Sequence, residues 1–335
     1  MKQHLFTGRP MRTILLLLTC VLHLWSKGQA VGDFGSIASG SWTGGTTWGI
    51  WNGSTFVATA STPTQFTNVW VRNGHTVNVP VPGPYACASL TVQSGGKLWT
   101  INNAANIYLS VYGTLLQCDG TIGDGSNFDG ISFNMEGTTT TIQGTGAFDC
   151  SRMRKSTTTP NATTNVIIAM NMNVRFAGGS TTQIYNNTGA SSFFNVTVNA
   201  GVTVNLVGTS GTGNLAIDGT NGATAGNAAG AYVVNGTINM NGILYLTSNN
   251  TSNLCSITIG GTGLIRCNQI NAAASGAGAH SLTISNGGRL EGHVAMPGER
   301  FWPPTIVRVE KRDQGRGGEA EFVGAEQRAD DHVAA

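Results

Sequence analysis

Val234-Asn-Gly-Thr-Ile-Asn-Met-Asn-Gly-Ile-Leu-Tyr-Leu246 carries the architecture in miniature. Apolar and polar residues alternate in its short runs, the pattern of a half-buried strand. Asn235-Gly236 and Asn241-Gly242 interrupt it, and such pairs supply the positive-φ positions of tight turns. The same pattern recurs on both sides. Leu90-Thr-Val-Gln-Ser-Gly-Gly-Lys-Leu98 and Asn195-Val-Thr-Val-Asn-Ala-Gly-Val-Thr-Val204 precede it. Ser256-Ile-Thr-Ile-Gly-Gly-Thr-Gly-Leu-Ile265 and Ser281-Leu-Thr-Ile-Ser-Asn-Gly-Gly-Arg-Leu290 follow. Irregular steps of about 20–30 residues fit the rungs of a solenoid, in which each short strand stacks on its neighbours. The expectation is an all-β chain, a right-handed parallel β-helix over residues 67–290, with an antiparallel β-sandwich as the alternative.

The charge pattern agrees. The 335 residues hold 47 Gly and only 18 Lys+Arg against 16 Asp+Glu. From Val31 to Gly288 there are seven charges of each sign. Like charges on stacked strands repel, so a coil decorated with Asn, Thr and Ser needs few of them. A basic nucleic-acid surface is excluded, because no Lys/Arg array is present to displace counterions. Residues 291–335 have a different composition. Asn vanishes there, while Arg, Glu, Gly and Ala rise. This reads as an atypical charged tail, disordered or frameshifted.

Residues 1–30 read as a signal peptide. Arg9 and Arg12 precede the apolar run Thr13 to Trp25, and Gly28 and Ala30 supply the small residues before a cut. The run is too short to span a bilayer, and no later stretch is long and apolar enough to form a transmembrane segment. The expected location is secreted, extracellular or at the cell surface. Cleavage would leave five cysteines, an odd number, with Cys87, Cys118 and Cys150 spaced by 31 and 32 residues. Such spacing could stack them in a repeat; small buried packing groups are the plainer reading.

Residues 31–66 form a Trp-rich N-terminal cap with Trp42, Trp48 and Trp51, suited to closing the open end of a solenoid. Flat Trp faces also suit sugar rings, which makes these three the candidate ligand-binding residues. The run Ser41-Trp42, Thr47-Trp48, Trp51-Asn-Gly53, Pro63, Val69-Trp-Val-Arg-Asn-Gly-His-Thr-Val77 and Leu90 to Leu98 resembles the opening module of exported β-helix proteins of Bacteroidota. It is similar also to the start of the eight-glycine extracellular domain. The resemblance covers about residues 38–98 and implies an extracellular or surface β-helix. It implies no particular activity.

Chemistry has one candidate cluster. Asp119-Gly-Thr-Ile-Gly-Asp124-Gly-Ser-Asn-Phe-Asp129-Gly130 is followed by Asp149, Arg152 and Arg154. On one face of a coil, Asp124, Asp129 and Asp149 beside Arg152 or Arg154 would suit a polysaccharide lyase or glycoside hydrolase, with Ca²⁺ as the attendant ion. Asp-Gly is also ordinary turn chemistry. No other catalytic, metal or cofactor motif is present: the histidines lack ligand spacing, and neither a CxxC nor a phosphate loop occurs. The leading expectation is a non-enzymatic surface scaffold, adhesin or glycan-binding module whose partner is an extracellular polysaccharide or cell-surface glycan. It needs no cofactor. The enzyme is the alternative.

Overall fold

The computed structural model describes residues 28–100, 107–123, 130–156, 163–176, 183–186, 192–209, 213–216, 230–246, 255–271, 281–294 and 306–310. No α-helix occurs among them. The chain visits three sheets in turn. Leu115–Cys118 lies in the first sheet, Thr121–Ile122 in the second, Ser132–Met135 in the third, and Thr139–Gln143 returns to the first. Pairing between successive turns is parallel. The fold is therefore a parallel β-helix, and the sandwich alternative fails because antiparallel pairs occur, among the described residues, only at the two ends.

Register builds the core. Val69, Leu90, Leu116, Ile142, Ile168, Val198, Val234, Ile259 and Ile284 stack in one column of the first sheet, 21 to 36 residues apart. The second sheet stacks Val77, Leu98, Ile122 and Phe148, and farther on Val204, Ile238, Ile265 and Leu290. Tyr85, Leu109, Phe133, Met153 and Ile184 line the third. Each fully buried aliphatic side chain stabilises the coil by about 1.5–3 kcal/mol relative to exposure.

Tight corners let the turns lie one on another. Gly144 has φ 137°, and a side chain there would run into the Cys118 carbonyl of the turn below. Outside, polar ladders follow the stack. Asn239 Nδ2 donates to Asn205 Oδ1 at 3.1 Å, and Asn205 Nδ2 donates to Asn173 Oδ1 at 2.9 Å. Asn195 Nδ2 donates to Asn165 Oδ1 at 3.0 Å.

Both ends depart from the expected boundaries. Phe34–Ser36 and Gly40–Ser41 extend the first and second sheets, so the Trp-rich segment is continuous with the rungs. Its cap is the antiparallel unit of Trp48–Trp51 with Phe56–Ala58, laid on Phe34–Ser36. At the other end Arg289–Val294 is a further rung, and Ile306–Glu310 pairs antiparallel with it. The expected break at residue 291 is thus crossed. Ile306-Val-Arg-Val-Glu310 alternates well enough to occupy an open sheet edge. Residues 311–335 lie outside the described residues.

The five cysteines among the described residues are buried, and none of them forms a disulfide. Cys87 lies in the third sheet, Cys118 in the first and Cys150 in the second. Their near-equal spacing is one turn plus one corner, so it moves each cysteine to the next sheet instead of stacking it.

Candidate functional site

The third sheet differs on its outer side. Alternation turns Leu109, Phe133, Met153 and Ile184 inward, which turns Ser110, Asn134, Arg154 and Tyr185 outward in register. Yet Ser110, Asn134 and Tyr185 are buried. Buried polar groups are costly unless hydrogen-bonded, and here they are. Asn134 Nδ2 donates to Ser110 Oγ at 3.1 Å. Arg154 Nε donates to Asn134 Oδ1 at 2.9 Å, and its Nη1 donates to the Tyr185 hydroxyl at 3.2 Å. The guanidinium carbon lies 4.0 Å from the centre of the Tyr108 ring. Arg154 is thereby held by neutral groups alone.

Arg152 projects from the same strand, two residues away on the same face, about 7 Å along it. Its guanidinium carbon lies 3.5 Å from the centre of the Phe176 ring, on the second sheet. Its Nε is buried without a hydrogen-bond partner, and no carboxylate comes within ion-pair distance of Arg152 or Arg154 among the described residues. Beside it Ser132 and Ser151 share a hydrogen bond of 2.7 Å.

The neighbouring charges are compensated. Asp149, buried on the second sheet, lies 2.8 Å from Arg175 Nε. Lys155 points inward, and its Nζ lies 3.9 Å from Glu136 Oε2, both side chains being fully buried. Lys155 Nζ donates to Thr164 Oγ1 at 3.1 Å, and the Ser156 N–H donates to Glu136 Oε1 at 3.1 Å. Burial pulls the Lys155 ammonium below its ordinary pKa, while the Glu136 carboxylate opposes that shift.

Of the sequence-predicted residues, Arg152 and Arg154 come together on one half-buried face. Asp149 sits on the adjoining sheet and is engaged with Arg175 rather than with them. Asp124 and Asp129 lie outside the described residues. No group of three His, Cys, Asp or Glu side chains able to hold a metal occurs among the described residues. The Trp expectation needs correction. Trp42 and Trp48 are buried, packed edge to face with centroids 5.3 Å apart, and Trp48 Nε1 donates to the Trp42 carbonyl at 2.6 Å. Their faces are spent on the cap. Trp51 is half-buried against Phe56, 5.0 Å between centroids.

Tyr108, Asn134, Phe176 and Tyr185 were not singled out by sequence reasoning. A signal existed in Arg152-Met-Arg-Lys155, where strand alternation sends two arginines to one side and a lysine to the other. An inward lysine demands a buried acid, which Glu136 supplies. Compared with known proteins, the chain matches no family model, no curated protein and no solved structure.

Proposed function

We propose that this chain is an exported extracellular or cell-surface β-helix that serves as a glycan-binding module on a rigid scaffold. The observation that carries the reading is the outer face of the third sheet, where Arg154 is fixed between Asn134, Tyr185 and Tyr108 and leaves its charge open. Prepositioned side chains lose little entropy on binding, and sites built on strands hold their geometry. The leader-like residues 1–30, the neutral polar ladders and the resemblance of residues 38–98 to exported β-helix modules support the compartment.

A catalytic reading has less support. A lyase or hydrolase would need a free carboxylate near the arginines, and Asp149 is engaged with Arg175. Screening the purified mature chain on a glycan array tests the proposal. Binding that falls in Arg154→Ala is expected, whereas an array blank with both proteins would overturn it. Release of unsaturated uronates from pectin, alginate or glycosaminoglycans would instead favour the enzyme.

A further inference from the structure

We propose that Arg152 and Arg154 form an anion-recognition pair, and that the ligand of this face is an acidic polysaccharide whose carboxylate or sulfate groups they take. The inference rests on the glycan-binding reading and names its ligand class.

Four basic side chains lie on or beside this strand: Arg152, Arg154 and Lys155 on it, and Arg175 next to Phe176 on the second sheet. Lys155 faces Glu136 inside, and Arg175 faces Asp149. The two outward arginines have no such partner among the described residues. Among the described residues nothing compensates their charge.

Their setting is that of a built site rather than a solvated surface. An arginine in free water swings on a long stem and is screened. Here the Arg152 guanidinium carbon sits over the Phe176 ring and that of Arg154 over the Tyr108 ring, so an aromatic face backs each charge. Arg154 is further fixed by two neutral acceptors, Asn134 Oδ1 and the Tyr185 hydroxyl, neither of which cancels its charge. The Arg152 Nε is buried without a hydrogen-bond partner, and no hydrogen bond from its terminal nitrogens to another described residue is present, so the end of the guanidinium is the part left for a ligand. Its planar fork of N–H donors matches the paired oxygens of a carboxylate or sulfate.

Placement suits a polymer. The two arginines stand on one strand with their Cα atoms about 7 Å apart and their guanidinium groups over different rings, so they can engage separate acidic groups on one chain. The surrounding ladders are neutral, Asn173–Asn205–Asn239 on the second sheet and Asn165–Asn195 on the first. Neutral amides receive sugar hydroxyls without repelling either sign. A compact polyanion with uniform high charge, such as duplex DNA, would find only this one such pair among the described residues.

The test measures binding of the full mature chain to polygalacturonate, alginate, heparin, neutral dextran and duplex DNA at fixed salt. The uronate and sulfated polymers separate the two anion chemistries. Binding to at least one acidic polysaccharide is expected, with affinity falling on added salt. Arg152→Gln should weaken it about 10-fold and the double variant Arg152→Gln/Arg154→Gln about 100-fold. Arg152→Lys should restore only part, because an ammonium keeps the charge and loses the fork. Arg152→Gln removes no internal hydrogen bond and gives up only the contact with the Phe176 ring, so its thermal unfolding should stay close to the wild type and separate lost binding from lost folding. Equal binding of DNA, or unchanged affinity in Arg152→Gln, would overturn the inference. Binding of neutral dextran alone would overturn it while leaving the glycan-binding reading intact, and no binding to any polysaccharide would remove both.

Discussion

The first and third sheets share one core and differ outside. In the first sheet, Thr163–Ile168 and Cys255–Ile259 alternate between buried and half-buried positions, with Thr163, Asn165, Ile167, Ser256 and Thr258 outward. In the third, every residue of Ser132–Met135 and Ile184–Asn186 is buried. A simple solenoid needs only the first arrangement. Taking Asn134 and Tyr185 out of water costs free energy that their hydrogen bonds must offset. The coil's outside is therefore specialised where the arginines stand.

That contrast can be broken in four ways. If the core is uniform, thiols from different sheets should titrate alike. Burial pushes Cys118 up to about 12 and Cys267 to about 11, and raises Cys87 and Cys150 as well, from an ordinary value of 9.0. Above about pH 9 the unfolded thiols lose protons that the folded ones keep. Stability should be level below that value and fall as pH rises toward the folded values, by about 1.4 kcal/mol per pH unit per thiol. Lys155, shifted the other way, opposes this with one group. Urea unfolding between pH 7 and 10 reads the slope, and Cys87→Ala and Cys118→Ala should each remove a comparable share of it. A slope that only one sheet contributes would break the uniformity.

Next, Lys155→Met should destabilise by about 3–5 kcal/mol, because Glu136 then lacks its counter-charge in the interior. Lys155→Met/Glu136→Gln should recover most of that loss in the same denaturation measurement. Wild-type stability in the single variant would remove the ion pair from the account.

The outer faces are compared by Arg154→Ala and Asn165→Ala. The first should cost about 1–3 kcal/mol by stranding Asn134 and Tyr185, and the second about 0.5 kcal/mol. Equal losses would erase the distinction between the sheets. Arg152→Gln should stay within about 1 kcal/mol of wild type, since it gives up the contact with the Phe176 ring and an Nε that is buried without a hydrogen-bond partner.

Much of the coil was legible in particular residues. Ile257 and Ile259 alternate with Ser256 and Thr258 before Gly260-Gly261, and those features alone specify strand, turn and side. The outward course of Arg152 and Arg154 could be read in the same way from Met153 between them. Their neighbours could not, since Asn134 and Tyr185 lie 20 and 31 residues away. Trp42 and Trp48 failed as sugar platforms for a related reason. An aromatic residue near an open end looks the same in sequence whether it faces water or fills the cap.

Residue order alone specified strands of alternating residues broken by glycine, a neutral polar exterior and a core of branched side chains, because these follow from each residue and its nearest neighbours. Which turn lies on which emerged only in the folded coil. The steps between stacked residues run from 21 to 36, and the corner lengths that set them carry no local rule. That long-range register places Phe176, Tyr108 and Tyr185 around two arginines and an acid beside a buried lysine.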